Sequence, residues 1–162
     1  MFNSFSNIEF QRAGKCRFLI VLALFFLTSC NVGNKSKLGI VDAQLTPCPS
    51  SPNCVSSDTI SAEQKVMPFE LTMPPTKAWD LLVEHVSQLP RTELVRQEPR
   101  YLYVECRSQF FGFVDDLEFH MRPEKKLVAI RSASRTGYSD FGVNRARIEK
   151  LRITLQEAGA VR

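Results

Sequence analysis

Past residue 29 the chain has no Lys/Arg-rich run, and among its 162 residues there are two His and one Trp. Without a basic run there is no electrostatic footprint for a polyanion, so nucleic acid is not expected as a partner. The formal charge of +4 is itself partly a leader effect. Arg12, Lys15 and Arg17 against Glu9 account for +2 of it, which leaves the remainder only about +2. The motifs of common catalysts are missing as well. There is no G-x-S-x-G elbow, no H-E-x-x-H pair and no phosphate-binding P-loop, so no recognised catalytic machinery is present. The cysteines show neither C-x-x-C spacing nor a neighbouring Cys or His cluster, which argues against a redox or metal pair. No cofactor is implied, and whether the protein is an enzyme stays open.

What is present begins with an apolar run, residues 18–29 (FLIVLALFFLTS), preceded by Lys15 and Arg17. It is short for a bilayer span and well matched to the core of a signal peptide. Leu27-Thr28-Ser29-Cys30 follows its apolar core and resembles the bacterial lipobox, in which a Leu and two small residues direct acylation of the Cys and cleavage before it. The expectation is a signal peptide over 1–29 and an acylated Cys30, whose partner is membrane lipid. Two or three chains on one Cys make such an anchor effectively permanent, where one would be marginal. Asn31 is not the Asp that keeps some lipoproteins at the inner membrane. An outer-membrane location, with the domain facing the periplasm, is therefore favoured if the organism has such a membrane. Residues 31–46 are polar and aperiodic, so 30–46 reads as the lipidated Cys and a flexible tether ahead of a single domain over 47–158.

Cys48 and Cys54 flank a turn rich in Pro and Ser, in a compartment that permits disulfides, and a Cys48–Cys54 bridge is expected. Residues 66–72 alternate, with Pro68 marking an edge strand or the start of a strand. Pro74-Pro75-Thr76 then opens a helix reaching Leu89, which places Ala78, Trp79, Leu82 and Val86 near one face. Trp79 reads as a core anchor and His85 as a solvated or hydrogen-bonded side chain. Four period-two segments follow, at about 92–98, 100–109, 113–122 and 127–134, and their short connections predict antiparallel neighbours. A last helix is expected from Phe141 to about Ala158, capped by Ser139 or Asp140. The class is α+β, with an antiparallel sheet of about five strands and two main helices on one face.

Pairing Met121 with Leu127 sorts the strands into faces. Leu102, Val104, Cys106, Phe113, Leu117, Phe119, Met121, Leu127 and Ala129 form the core face, and Cys106 is expected as a buried thiol. Asp115 and Arg131 fall on that face too, and the register predicts a buried ion pair between them. Tyr101, Tyr103, Glu105, Arg107, Asp116, Glu118, His120, Ser132 and Ser134 fall on the other, read as a solvated face with an Arg107–Asp116 bridge. Glu105, Glu118 and His120 converge there as weak candidates for a metal or for acid–base work.

Residues 131–147 (RSASRTGYSDFGVNRAR) then concentrate guanidinium groups, hydroxyls and an Asp before a helix N-terminus. These are the parts of an anion site or of a polar network that locks a corner. Asp115, Arg131, Arg135, Asp140, Asn144 and Arg145 are expected in one neighbourhood. A solvent-facing, unpaired Arg135 would favour a ligand, and full internal pairing a lock.

Cys48-Pro49, the run Ser51-Pro52-Asn53-Cys54-Val55-Ser56-Ser57, the segment FVDDLEF at 113–119 and Arg131-Ser132-Ala133-Ser134-Arg135 with Gly137, Asp140, Gly142, Asn144 and Arg145 resemble the bacterial domain-of-unknown-function family numbered 1499. The likeness runs from about Pro47 to Leu155. It implies an uncharacterised lipoprotein with no assigned activity, and marks Cys48, Cys54, Asp115, Asp116, Arg131, Ser132, Ser134, Arg135, Asp140, Asn144 and Arg145 as signature positions. Two functions stay in play: a lipid-anchored binding or scaffold domain for a small anion or protein partner, and a hydrolase or metal-dependent enzyme working from Asp116, Glu118, His120 and the Ser132 and Ser134 hydroxyls.

Overall fold

The computed structural model describes residues 37–162; the expected signal peptide, Cys30 and the first part of the tether lie outside them. Strands β1 (Ile40–Val41) and β2 (Gln44–Leu45) form a small hairpin. After it come β3 (Cys54–Ser56), β4 (Phe69–Glu70), helix α1 (Pro75–Ser87), β5 (Thr92–Glu98), β6 (Tyr101–Arg107), β7 (Val114–Arg122), β8 (Leu127–Ser134) and helix α2 (Val143–Glu157). The main sheet is antiparallel in the order β3-β8-β7-β6-β5, and β4 also pairs with β8, giving six strands. The architecture is the α+β one expected from the period change between helix and strand segments.

Local sequence accounts for the element ends. Pro75 sits at the first turn of α1, where its missing N–H is no loss. Gly142, at φ +81°, makes the sharp entry into α2. Both helices cover one face of the sheet. Trp79, Leu82 and Val86 of α1 and Ile148, Leu151 and Leu155 of α2 close over Leu102, Val104, Leu117, Phe119, Met121, Val128 and Ile130. Leu117, Phe119 and Ile148 are fully buried, and truncating any of them to Ala would cost about 2–5 kcal/mol.

The register of β8 differs by one residue from the expectation. Met121 pairs with Val128, so Val128, Ile130, Ser132 and Ser134 face the helices, while Leu127, Ala129, Arg131 and Ala133 face the other way. The turn at Pro123–Lys125 is a single 3₁₀ turn closed by Lys126 at φ +50°, and this sets the offset. Asp115 and Arg131 therefore lie on opposite faces and form no pair. Phe113 is not core but half exposed. Arg107 lies opposite Val114 and bridges Glu93 and Glu105, because Glu105 is the residue opposite Asp116.

The second face is not solvated. Part of the stretch read as tether, residues 37–46, folds onto it as the β1–β2 hairpin, which turns at Asp42 and Ala43, both with positive φ as a tight hairpin requires. Leu45 packs with Tyr101, Tyr103 and Ala129 in a second apolar cluster. The Leu45 N–H donates to Asp58 Oδ2 at 2.8 Å, and the Gly39 N–H donates to Glu118 Oε1 at 2.7 Å. With this cover in place, Asp116, Glu118 and Arg131 are all buried.

Candidate functional site

On the covered face, β7 and β8 set Glu118 opposite Arg131. Both side chains have 0% exposure, and Arg131 Nη1 donates to Glu118 Oε2 at 2.9 Å. The other carboxylate oxygen accepts from the Tyr101 hydroxyl at 2.7 Å and from Gly39 N–H. Burial, followed by the Glu118 hydrogen bond, pushes the Tyr101 phenol well above its ordinary pKa, so it remains a donor. The carboxylate is thus fully served.

Arg131 is not. Its Nε and Nη2 are buried and have no hydrogen-bond partner among the described residues. A buried donor left unmade costs about 1–3 kcal/mol, and more when it is charged. These two nitrogens form one edge of the planar guanidinium, with parallel N–H bonds spaced for both oxygens of a carboxylate or a phosphoryl group.

Arg131 lies at the lining of a cavity of about 490 Å³, shared with Lys37, Cys48, Asn53, Ser134 and Arg135. The Cys48–Cys54 disulfide shapes one wall of it. Asn53 ties this wall to the strand end, donating to Gly137 O at 2.6 Å and to Ser134 O at 3.4 Å.

Arg135 is held in place from below. Its Nε donates to Asp116 Oδ1 at 3.0 Å and its Nη2 to the Tyr103 hydroxyl at 2.6 Å, with Glu105 a further partner of Nη2. Burial works to lower the pKa of this guanidinium, but the bonds to Asp116 and Glu105 outweigh it and the net shift is upward. The same contact from Arg135 holds the Glu105 carboxyl below its ordinary range. Tyr103 is pushed up by burial and by its bond to Asp116. Arg131, Arg135 and Lys37 are balanced in number by Glu105, Asp116 and Glu118. Directed donors, rather than net charge, are therefore what this cavity offers, which suits a compact singly charged oxyanion and disfavours a polyanion.

The remaining signature residues build a separate network on the helix face. Asp115 accepts from Ser134 Oγ at 2.6 Å and from Arg147 Nη2 at 2.6 Å. Ser132 Oγ donates to Asn144 Oδ1 at 2.5 Å, and Arg147 Nη1 reaches the same oxygen at 2.7 Å. Asn144 Nδ2 donates to Ser134 Oγ at 3.0 Å and Asn53 O at 3.2 Å. Asp140 receives the Asn144 and Gly142 N–H groups, and Arg145 donates to Lys65 O and Glu63 O, both at 2.7 Å. The one neighbourhood expected from the sequence is therefore two, divided by the sheet. Arg147, not singled out from the sequence, is the partner Asp115 needs; its place three residues after Asn144 on α2 was the available signal.

Glu105, Glu118 and His120 do not converge. Each is in contact with a different arginine: Arg135, Arg131 and Arg122. No group of three or more His, Cys, Asp or Glu that could hold a metal occurs among the described residues. Cys106 is a buried free thiol, its pKa raised by burial.

The family model described as "Protein of unknown function (DUF1499)" matches residues 44–155. The chain belongs to this family. The matched span contains the disulfide, both arginine networks and all of the main sheet, while the family description assigns no activity. No match to the chain is found among curated proteins or among solved structures.

Proposed function

We propose that this member of the DUF1499 family is a lipid-anchored protein of the bacterial cell envelope whose domain binds a small oxyanion, most simply a carboxylate, in the cavity beside the disulfide. One observation carries the binding half of this reading: the paired Nε and Nη2 donors of a fully buried arginine have no hydrogen-bond partner among the described residues, and that arginine lines a cavity. The lipobox-like Leu27-Thr28-Ser29-Cys30 supports the anchor. The donors are covered, so an anion reaches them only as the cavity lining gives way.

The test is a thermal-shift and calorimetric titration with acetate, succinate and inorganic phosphate, on the wild type and on Arg131→Lys. Lysine keeps the charge beside Glu118 but has no planar fork. Stabilisation of the wild type by a carboxylate, reduced at least tenfold in apparent affinity by Arg131→Lys, is the expected result. A flat titration with all three probes, as a trapped water would give, or an unchanged response in Arg131→Lys, would overturn it.

A further inference from the structure

Five aromatic side chains stand out at one end of the sheet. Phe110, Phe111 and Phe113 in the β6–β7 connection are 83%, 78% and 53% exposed, and Tyr138 and Phe141 in the β8–α2 connection are 77% and 95% exposed. The two connections are neighbours. The Ser108 N–H closes the first by donating to Phe113 O at 2.8 Å, and Arg135 N–H, at the start of the second, donates to Val114 O at 3.0 Å. Phe111 and Phe113 stack on each other with centroids 5.5 Å apart, so these rings are arranged without being buried. Val143, half exposed, continues the apolar surface toward Arg107 and Lys150.

The path of the chain says what covers this end. The described residues begin at Lys37, which lines the same cavity as Arg135 and Gly137 of the second aromatic loop. Six residues lie between Cys30 and Lys37, so the seven steps reach at most about 24 Å when fully extended. A tether of that length allows an acylated Cys30 to hold the aromatic end, the end away from the β5–β6 turn, close to the bilayer. The charge around the loops fits as well. Arg91 and Lys150 are exposed beside them, while Arg107 is engaged by Glu93 and Glu105, and two basic groups next to exposed aromatics match anionic headgroups over the acyl boundary. Because the anchor keeps the loops at high local concentration near the surface, even weak insertion would be sustained.

We propose that the domain lies against the membrane with Phe110, Phe111, Phe113, Tyr138 and Phe141 inserted at headgroup level, a proposal that rests on the anchored reading given above. The domain is then held at two points, by lipid on Cys30 and by its aromatic loops, so it presents a fixed orientation to the membrane.

The experiment uses the mature protein extracted from membranes and reconstituted in phosphatidylethanolamine–phosphatidylglycerol vesicles carrying brominated acyl chains. Trp79 is 5% exposed in the core and serves as the internal reference. In the wild type, its emission should be unaffected by bromolipid. In Phe111→Trp, the introduced indole should emit at shorter wavelength than in water and lose at least half its intensity to bromolipid. Acylated Phe111→Trp that is unquenched and emits as in water overturns the docking while leaving the anchor standing. A blue-shifted but unquenched indole means that protein covers the loops, and it overturns bilayer docking equally. An intact mass without acyl chains at Cys30 overturns the anchor and the docking that depends on it.

Discussion

The two faces of the sheet each carry a buried carboxylate against an arginine, and they finish that arrangement differently. Toward the helices, Asp115 and Arg147 are joined to Ser132, Ser134 and Asn144, and hydroxyl and amide groups from β8 and α2 fill in around the ion pair. Toward the β1–β2 hairpin, Glu118 is saturated while its partner Arg131 keeps an unmatched donor edge beside a cavity. Burying charge is favourable only when the surrounding hydrogen bonds are complete. The first network meets that condition from within the chain, and so it acts as a lock between β8 and α2. The second does not meet it among the described residues, and the oxyanion proposed above would contribute the two missing acceptors.

Removing the carboxylate from each face should separate the two. Glu118→Ala leaves Arg131 as a lone charge at 0% exposure, and its unfolding free energy in urea should fall by about 3–5 kcal/mol. Asp115→Ala should cost less, about 2 kcal/mol, since the Arg147 side chain is 17% exposed and can be hydrated. The diagnostic is rescue. Acetate should recover part of the loss in Glu118→Ala by supplying the missing counter-charge, and should do nothing for Asp115→Ala. Equal rescue of both, or none of either, would erase the distinction between lock and receptor.

The next effect is smaller than that of Glu118→Ala and concerns the cavity wall. Replacing both cysteines, as Cys48→Ser with Cys54→Ser, frees a seven-residue loop and should lower stability by about 2 kcal/mol on chain-entropy grounds. The loop lines the Arg131 cavity and hydrogen-bonds to the helix-face network through Asn53. Acetate affinity should therefore drop several-fold, while amide protection at Leu151 falls no further than the global loss of stability requires. An unchanged affinity would remove the disulfide loop from the site.

Much of this organisation could be read from the residues, and the parts that could not have physical reasons. The helices, the four long strands and the disulfide follow from period, proline placement and compartment. The register of β8 does not, because Leu127-Val128-Ala129-Ile130 is apolar at every position and is buried on both faces, so alternation carries no contrast. One 3₁₀ turn decides the matter, and with it the partner of Arg131. The hairpin over the second face is likewise hidden: its strands are two residues each, and its only deeply buried apolar side chain is Leu45. Without that cover the polar layer of Asp116, Glu118 and Arg131 would be solvated; with it they are buried. The sequence leaves open whether Arg135 is paired internally or faces a ligand; it is anchored by Asp116, Glu105 and Tyr103.

The smallest expected effect is the most selective, since it loosens the cover over one face and leaves the other unchanged. Arg122 holds Asp58 with two bonds, 2.9 and 2.5 Å, and also donates from Nε to His120 Nδ1 at 3.3 Å, while Asp58 in turn holds the Leu45 N–H of the hairpin. That arrangement needs a neutral imidazole, because a protonated one loses its acceptor and faces the Arg122 charge. Burial, then Arg122, depresses the pKa of His120, with Arg100 acting the same way and Asp58 and Glu124 opposing. A depressed folded-state pKa means that the unfolded chain takes up the proton first. The stabilisation is thus complete above the ordinary histidine value of about 6.5 and is lost as pH falls through the lower folded value. Between pH 7.5 and 5.5 the hydrogen-exchange protection of Leu45, corrected for intrinsic rates, should fall by more than that of Leu151 in α2. His120→Gln should abolish the difference, since a neutral amide can accept from Arg122 at either pH. Equal loss at both amides in the wild type would mean that acidification acts on the whole fold and that the His120–Arg122–Asp58 chain does not fasten the hairpin.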